Sequence, residues 1–279
     1  MSDTQDSERP ADLLTERTPR VVSAVKLLRS AERRKQGKFL AEGVNAVRQA
    51  IELDVAREVF FTEDAAIKNH ALLTDAQARG VQLSEVTERA AKGLSDTVTP
   101  QGIIAVCALL DVPLEAALGG APTIVAVPVE ASDPGNAGTI IRIADAVGAD
   151  AVVLAGDSVD PHNGKAVRSS AGSVFHLPIA RERDIGAVLT ALRASGLQIL
   201  ATAADGEVDL DDADELLAQP TAWLFGNEAH GLDAAVAAAA DHRVRIPIGG
   251  RAESLNLATA AAICLHATAR SQRRARAGG

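Results

Sequence analysis

From residue 122 onwards, short apolar segments alternate with segments of helical spacing. Segments that are apolar at nearly every position form strands buried on both faces, as in parallel sheets that helices cover on each side. The predicted strands are TIVAVPVE, AVVLAG, HLPIA, QILATAA, TAWLFG and HRVRIPI. The predicted helices between and after them are AGTIIRIADAVGA, IGAVLTALRASG, GLDAAVAAAA and SLNLATAAAICLHATAR. The second half of the chain therefore predicts an α/β domain with a parallel sheet, and ligands of such sheets bind beyond the carboxyl ends of the strands.

The first part of the chain predicts a smaller α/β unit. Apolar residues recur at helical spacing in 22–28 and 44–51, and four short apolar runs indicate strands, the third followed by a helix. The segment DVPLEAALGGAPT holds proline and glycine and is expected to be a linker. The polar N-terminus is expected to be disordered. The expected boundaries are 1–18 for the leader, 19–110 for the first domain, 111–121 for the linker and 122–279 for the second domain.

The composition excludes several classes of protein. An apolar fraction of 47% supports a full hydrophobic core and excludes a wholly disordered chain. No apolar run is long enough to cross a membrane, and the N-terminus has no apolar region typical of a signal peptide. Cys107 and Cys264 lie far apart without CxxC spacing, so a structural metal site is not expected. We therefore expect a cytoplasmic protein that holds no metal and does not enter a membrane.

The net charge of −9 argues against a polyanionic partner, but the positive charges are clustered. Between Arg20 and Arg48 there are eight basic residues against two acidic ones, and the C-terminal ARSQRRARAGG adds four arginines. Aromatic residues make up 2% of the chain, which disfavours RNA binding by base stacking. We expect the basic segment to bind RNA phosphates, and the alternative is a solvated helix face. The candidate residues are Lys26, Arg29, Arg33, Arg34, Lys35 and Lys38.

Three polar clusters each follow an apolar strand. In EASDPGNAGTIIRIADA, Asn136 is expected to cap the next helix, and Arg142 lies six residues further on. In LFGNEAHGL, Glu228 is expected to cap or charge the next helix. In IPIGGRAESLNLATAAA, a glycine pair precedes Ser254 and Asn256, which open an alanine-rich helix. Singly, each cluster is explained by helix capping about as well as by ligand binding.

Together, in this order, the clusters resemble a known motif set. N-x-G-x-x-x-R, then (L/F)-G-N-E-x-x-G-L, then I-P-I-x-G-x-x-x-S-L-N are similar to the motifs of the SpoU (TrmH-like) branch of the SPOUT RNA methyltransferases. The resemblance spans residues 122–270, and NGKAVRSSAGSVFHLPI matches the segment between the first two motifs. Residues 20–110 resemble the L30-like RNA-binding domain often fused to these enzymes. The resemblance implies a C-terminal α/β domain with a deep trefoil knot and a parallel sheet, beside a smaller N-terminal α/β domain.

The resemblance also implies an activity and a site. The reaction would transfer a methyl group from S-adenosylmethionine to a ribose 2′-hydroxyl of RNA, without a metal. The implied catalytic residues are Arg142, Asn136, Glu228, Ser254 and Asn256. The implied donor site comprises Thr202, Ala203, Leu224, Gly226, Asn227, Ile246, Ser254, Leu255 and Asn256. Arg142 is expected to bind a phosphate of the RNA and stabilise alkoxide charge. His230 is expected either to join the site or to lie exposed at a helix start.

A homodimer is expected, because SLNLATAAAICLHATAR is apolar around much of its circumference and the family's equivalent helix packs at a two-fold interface. The separate N-terminal domain favours ribosomal RNA over tRNA as the substrate. Two other classes stay open: a non-catalytic RNA-binding or assembly protein of the same fold, and a Rossmann-type oxidoreductase. The sequence does not distinguish a housekeeping role from antibiotic resistance.

Overall fold

The computed structural model describes residues 13–278 of the chain. The chain forms two compact units, of which the first ends at Leu109 and the second begins at Leu110. Each unit holds its own sheet and its own buried apolar core. None of the helices in the described range is long and apolar enough to span a membrane.

The first unit is built on a mixed sheet. Its described strands are β1 (Lys38–Glu42), β2 (Ala56–Phe61), β3 (Gln82–Glu85) and β4 (Ile103–Ala108). Strand β4 pairs antiparallel with β1 and β2, and β2 pairs parallel with β3. The described helices are α1 (Pro19–Lys26), α2 (Ser30–Gln36), α3 (Val44–Glu52), α4 (Glu63–Lys68), α5 (His70–Ala78) and α6 (Glu88–Leu94). The strands match the sequence prediction, whereas α2, α4 and α5 were not predicted.

The end of the expected leader is ordered. Leu14 is buried and forms a parallel bridge with Val86 beyond the end of β3. The N–H of Leu14 donates to the carbonyl of Glu85 at 2.9 Å. The expectation of disorder was therefore wrong for residues 13–18, because polar composition does not reveal that a single leucine docks beside a strand. Residues 1–12 lie outside the described part of the chain.

Arg33 was expected to contact RNA, but the structure buries it. The residue lies on α2 and is 3% exposed. Its guanidinium donates to the carbonyl oxygens of Leu27 and Leu28, both at 3.0 Å. These carbonyls belong to the corner between α1 and α2, so Arg33 holds the corner together. The exposed candidate cations of the same segment are Lys26, Arg29, Arg34, Lys35 and Lys38.

Arg33→Ala is expected to lower the free energy of unfolding of the first unit by about 2–4 kcal/mol, because two carbonyls lose their donor and a cavity is left. Arg34→Ala, on the exposed side of the same helix, should change it by less than about 0.5 kcal/mol. Urea denaturation followed by circular dichroism measures both values. Equal stability of the two variants would contradict a structural role for Arg33.

The second unit is built on a parallel sheet, as the sequence predicted. Its described strands are β5 (Asp111–Val112), β6 (Ile124–Pro128), β7 (Ala151–Ala155), β8 (Ile179–Glu182), β9 (Gln198–Thr202), β10 (Val208–Asp209), β11 (Thr221–Phe225) and β12 (His242–Arg245). They lie in the order β10-β12-β9-β11-β6-β7-β8-β5, and each neighbouring pair runs parallel. Strands β6, β7 and β11 are buried at every position, which explains their continuous apolar sequence.

Helices cover this sheet and connect its strands. The described helices are α7 (Leu114–Ala117), α8 (Pro134–Val147), α9 (Gly164–Ser169), α10 (Ile185–Ala194), α11 (Asp214–Leu217), α12 (Ala234–Ala238) and α13 (Leu257–Gly278). Because parallel strands need a crossover connection, the alternation of strand and helix in the sequence follows from the sheet itself.

Residues 111–121 belong to the second unit and are not a linker. Strand β5 pairs with β8, and Leu114 and Leu118, in and after α7, are buried in the core. The N–H of Leu110 donates to Nε2 of the buried His162 at 3.1 Å. Proline and glycine predicted an open connection, but the leucines between them are packed against the sheet. The second unit therefore begins at Leu110.

Helix α13 is fastened to the strands whose ends form the candidate site. The ring N–H of Trp223 on β11 donates to Oγ1 of Thr268 at 2.8 Å. Nε2 of Gln272 donates to the carbonyls of Thr123 and Gln219, both at 2.9 Å. Helix α13 is thus tied to β11 and to the residues that precede β6 and β11. Because β12, β9, β11 and β6 are parallel neighbours, their carboxyl ends lie at one edge of the sheet. The deep knot that the resemblance implies stays a prediction.

Candidate functional site

The loop after β11 holds the turn after β6. Nδ2 of Asn227 donates to the carbonyl of Glu130 at 2.6 Å. The backbones of Asn227 and Gly231 exchange two hydrogen bonds of 2.9 Å, which close the loop on itself. Glu130 has a left-handed backbone with a φ of 52°, which bends the chain after β6. Asn227 is therefore a clip between two loops that are distant in the sequence.

Glu228 accepts four hydrogen bonds from the turn after β6 and the first turn of α8. The N–H and Oγ of Ser132 donate at 3.1 Å, the N–H of Asp133 at 3.2 Å and Nδ2 of Asn136 at 3.0 Å. Desolvation raises the pKa of Glu228, but the donors, led by the Asn136 side chain, outweigh it and keep the pKa below its ordinary value. Glu228 is therefore an ionised acceptor near neutral pH.

Asn136 joins Glu228 to the start of α13. Its Nδ2 donates to Glu228, and its Oδ1 accepts from Nδ2 of Asn256 at 3.1 Å. Oδ1 of Asn256 accepts from the N–H groups of Ala258 at 2.9 Å and Thr259 at 3.2 Å, so Asn256 caps α13. Residues from the ends of three strands thus form one hydrogen-bonded series, Glu228–Asn136–Asn256, which we call the amide chain.

Two capping assignments made from the sequence were wrong. Asp133 caps α8 in place of Asn136, because its Oδ1 accepts from the N–H of Asn136 at 2.9 Å. Asp233 caps α12 in place of Glu228, because its Oδ1 accepts from the N–H of Ala235 at 2.8 Å. In both turns a nearby aspartate takes the cap. Asn136 and Glu228, which do not cap a helix, bind each other in the amide chain.

A cavity of about 290 Å³ lies beside the amide chain, at the carboxyl ends of β9, β11 and β12. Its lining is Thr202, Ala203, Ala204, Gly226, Asn227, Glu228, Ala229, Gly231, Val244, Ile246, Ile248, Glu253, Ser254, Leu255, Leu257 and Ala260. Of the expected donor-site residues, Leu224 and Asn256 are outside this lining. Leu224 is fully buried beneath it, where its carbonyl accepts from Oγ1 of Thr202 at 3.1 Å. His230 lies exposed on the loop before α12.

Sequence reasoning predicted Ile246 and Leu255 in the lining but missed Val244, Ile248, Leu257 and Ala260. Val244, Ile246 and Ile248 alternate along β12 and the loop after it, so they share one side of an extended segment. Leu257 and Ala260 lie three apart in the first turn of α13 and share one face. Both spacings were visible in the sequence, and both point to a common surface.

Residues 123–266 match the model of the SpoU rRNA Methylase family. The chain belongs to this family. Residues 18–105 match the MRM3-like substrate binding domain. One SpoU relative, the 23S rRNA (guanosine(2553)-2'-O)-methyltransferase RlmP of Bacillus subtilis, is 35% identical over 241 residues, which cover 86% of this chain and 92% of the relative.

Two solved structures are similar to nearly the whole chain. The AdoMet-bound rRNA methyltransferase from Sinorhizobium meliloti has a TM-score of 0.80 and 32% identity, and the match covers 91% of this chain and 95% of that one. The SpoU methyltransferase AviRb from Streptomyces viridochromogenes, in complex with the cofactor AdoMet, has a TM-score of 0.79 and 31% identity, with coverages of 94% and 100%. The predicted α/β fold of a SPOUT methyltransferase with a smaller N-terminal domain is confirmed.

Two glycines of the SpoU motifs are required by close packing. A Cβ on Gly226 would lie 2.3 Å from the carbonyl carbon of Gly231, so a side chain would open the loop that lines the cavity. A Cβ on Gly138 would lie 2.1 Å from Oγ of Ser169, because α9 crosses α8 at this point. The missing side chain of Gly138 therefore lets the two helices approach each other.

Arg142 of the first SpoU motif stands apart from the amide chain. It is exposed on α8 and is not among the residues that line the cavity. It follows Asn136 by six residues, which places it about 9 Å further along the helix and on a different face. Within residues 13–278, no group of three or more His, Cys, Asp and Glu side chains is arranged to hold a metal ion.

Proposed function

We propose that the protein transfers a methyl group from S-adenosylmethionine to a ribose 2′-hydroxyl of 23S rRNA, and that it acts in the cytoplasm. The observation that carries the proposal is the cavity at the carboxyl ends of β9, β11 and β12, bordered by the amide chain. In a SpoU chain, this arrangement sets a small-molecule donor beside polar groups that can hold a substrate hydroxyl. Relatives named as 23S rRNA 2′-O-methyltransferases support the choice of substrate.

The cavity lining suits S-adenosylmethionine. Ile246, Leu255 and Leu257 would offer apolar surface to an adenine ring, and Glu228 and Glu253 would offer negative charge to the cationic parts of the donor. The small residues of the lining let main-chain groups reach the ligand. The bound donor supplies an electrophilic methyl group on its sulfonium, so the chemistry left to the protein is alignment and charge stabilisation.

The side chains divide these tasks. Glu228, ionised and bound to four donors, fixes the orientation of Asn136. Asn136, Asn256 and Ser254 present amide and hydroxyl groups to the ribose or the donor. The guanidinium of Arg142 has N–H donors and no acceptor site for a proton. Its role in this proposal is to bind the phosphate next to the target ribose and to stabilise the developing alkoxide. The 2′-hydroxyl proton then passes to that phosphate or to water.

The first unit binds the RNA by its phosphates. The exposed candidate cations between residues 26 and 38 are available for this, whereas Arg33 is used inside the fold. Those exposed cations are Lys26, Arg29, Arg34, Lys35 and Lys38. Such contacts position the RNA without reading its bases, so the choice of nucleotide must come from the shape of the folded RNA.

The active form is a homodimer, and α13 provides part of its interface. Thr259, Ile263 and His266 form an exposed stripe at helical spacing, and Ile263 is 37% exposed although it is large and apolar. Ile263→Glu is expected to shift the protein from dimer to monomer in sedimentation velocity at micromolar concentration, because the interface would bury the new charge. Val98→Glu, at an exposed valine of the first unit, should leave the dimer intact. A wild-type protein that sediments as a fully active monomer would contradict the dimer.

The function is tested by mapping 2′-O-methylated riboses in RNA from cells with and without the gene. We expect one 23S rRNA position to lose its methyl group in the deletion strain. The purified protein with S-adenosylmethionine should restore the methyl group on the unmethylated rRNA. Loss of a methyl group in tRNA would identify tRNA as the substrate, and an unchanged map would favour a non-catalytic RNA-binding role. A change in nicotinamide absorbance on adding NAD(P)H and small substrates would identify an oxidoreductase.

A further inference from the structure

Lys165 makes an ion pair at the first SpoU motif although no motif position includes it. It lies in the first turn of α9, and its Nζ is 2.6 Å from Oδ2 of Asp133, the cap of α8. The side chain of Lys165 is 55% exposed. Its Cε lies 3.0 Å from the position that a Cβ on Gly135 would occupy, so the lysine stem crosses α8 where the helix has no side chain.

The charges around this lysine matter for an approaching RNA. The N–H of Asp133 donates to Glu228, so the carboxylates of these two residues meet at the turn after β6, and Glu253 adds negative charge at the cavity. The hydrogen bond from Lys165 is the main cause that holds the pKa of Asp133 below its ordinary value. A phosphate brought to the ribose site would meet this negative charge. Lys165 offsets part of this charge through its ion pair with Asp133.

Lys165 and Arg142 lie along the same side of α8. Lys165 crosses the helix at Gly135, and Arg142 follows Gly135 by seven residues, which is two helical turns or about 10 Å. An ammonium has three N–H donors, and the bond to Asp133 uses one of them. The exposed remainder of the head group can therefore donate to a phosphate oxygen without giving up the ion pair.

We propose that Lys165 binds a phosphate of the RNA strand that carries the target ribose, on the same track as Arg142. This subsite rests on the proposed function, because it needs an RNA strand in front of α8. Helix α9 would then help to hold the RNA during the reaction. The three SpoU motifs lie on other segments of the chain. Asp133 orients the ammonium.

The test compares three variants in the full-length protein. Lys165→Met should weaken binding of an unmethylated 23S rRNA transcript about tenfold, measured with S-adenosylhomocysteine present, because one charged hydrogen bond is lost. It should also reduce the slope of log affinity against log salt by about 0.7–0.9, as expected for one phosphate contact. Asp133→Asn keeps the cap of α8 but removes the negative charge, so it should leave RNA affinity equal or higher. Arg183→Met, at another exposed ion pair of the same unit, is the control and should change nothing.

The pattern of outcomes separates a phosphate contact from a structural ion pair. If Lys165→Met and Asp133→Asn weaken RNA binding equally, the pair is structural and the phosphate subsite is wrong. If Lys165→Met leaves affinity and salt slope unchanged, the subsite is also wrong. Binding of S-adenosylmethionine by calorimetry should be the same in all variants, and its loss in Lys165→Met would likewise contradict the proposal. A wild-type protein that neither binds nor methylates rRNA would instead overturn the proposed function.

Discussion

Arg142→Ala is expected to reduce methyl transfer by about a hundredfold or more while the Kd for S-adenosylmethionine stays nearly unchanged. The size of the loss is that of removing a group which stabilises charge in the transition state. The donor is spared because Arg142 is exposed on α8 and lies outside the cavity lining. Single-turnover methyl transfer measures the rate, and isothermal titration calorimetry measures donor affinity.

Two further variants make the prediction for Arg142 specific. Arg142→Lys keeps a positive charge but loses the planar pair of donors, so it should recover only part of the rate. Asn256→Ala should lower both the rate and the donor affinity, because Asn256 caps α13 and donates to Asn136 beside the cavity. If Arg142→Ala lost the donor while Asn256→Ala kept it, the division of roles between the two motifs would be wrong.

The sequence predicted where the site lies but not how its side chains are connected. Polar clusters after buried parallel strands must meet at one edge of the sheet, so Asn136, Glu228 and Asn256 could be grouped from their positions in the chain. Their hydrogen bonds join residues more than 90 positions apart. Local rules can offer only a local partner for each side chain, which is why Glu228 and Asn136 were assigned to helix caps that Asp233 and Asp133 occupy.

The sequence also did not predict which individual residues are buried. Arg33 sits in a basic segment and cannot be told from Arg34 by charge, yet two main-chain carbonyls hold it inside the fold. Leu14 and Leu114 lie in segments whose polar, proline or glycine content predicts an open chain, and both are buried. In each case a tertiary contact decides whether the residue is buried, and the composition of the segment does not reveal that contact. The resemblance to the SpoU motifs predicted the site better than these local rules, because it compares several residues that meet only in the folded protein.

Deleting residues 1–109 is expected to leave a folded unit that binds S-adenosylmethionine and to weaken RNA binding strongly. The cut is placed before Leu110, because the N–H of Leu110 donates to the buried His162 and the next two residues form β5. The second unit has its own core and its own cavity, so donor affinity should be retained. Calorimetry with the donor and a thermal melt check both points.

RNA binding should fall because the five exposed candidate cations, Lys26, Arg29, Arg34, Lys35 and Lys38, are removed with the first unit. If these five residues each neutralise one phosphate, the slope of log affinity against log salt should drop by about 3.5–4.5. The same drop in salt slope is expected when these five residues are replaced by glutamine in the full-length protein and Arg33 is kept. The control is Arg48→Gln with Arg57→Gln, at two other exposed arginines of the same unit. The residues to replace are Lys26, Arg29, Arg34, Lys35 and Lys38. A truncated protein with an unchanged salt slope would mean that these cations form a solvated surface. RNA would then be held by the second unit, where Arg142, Lys165 and the arginines at the end of α13 supply positive charge.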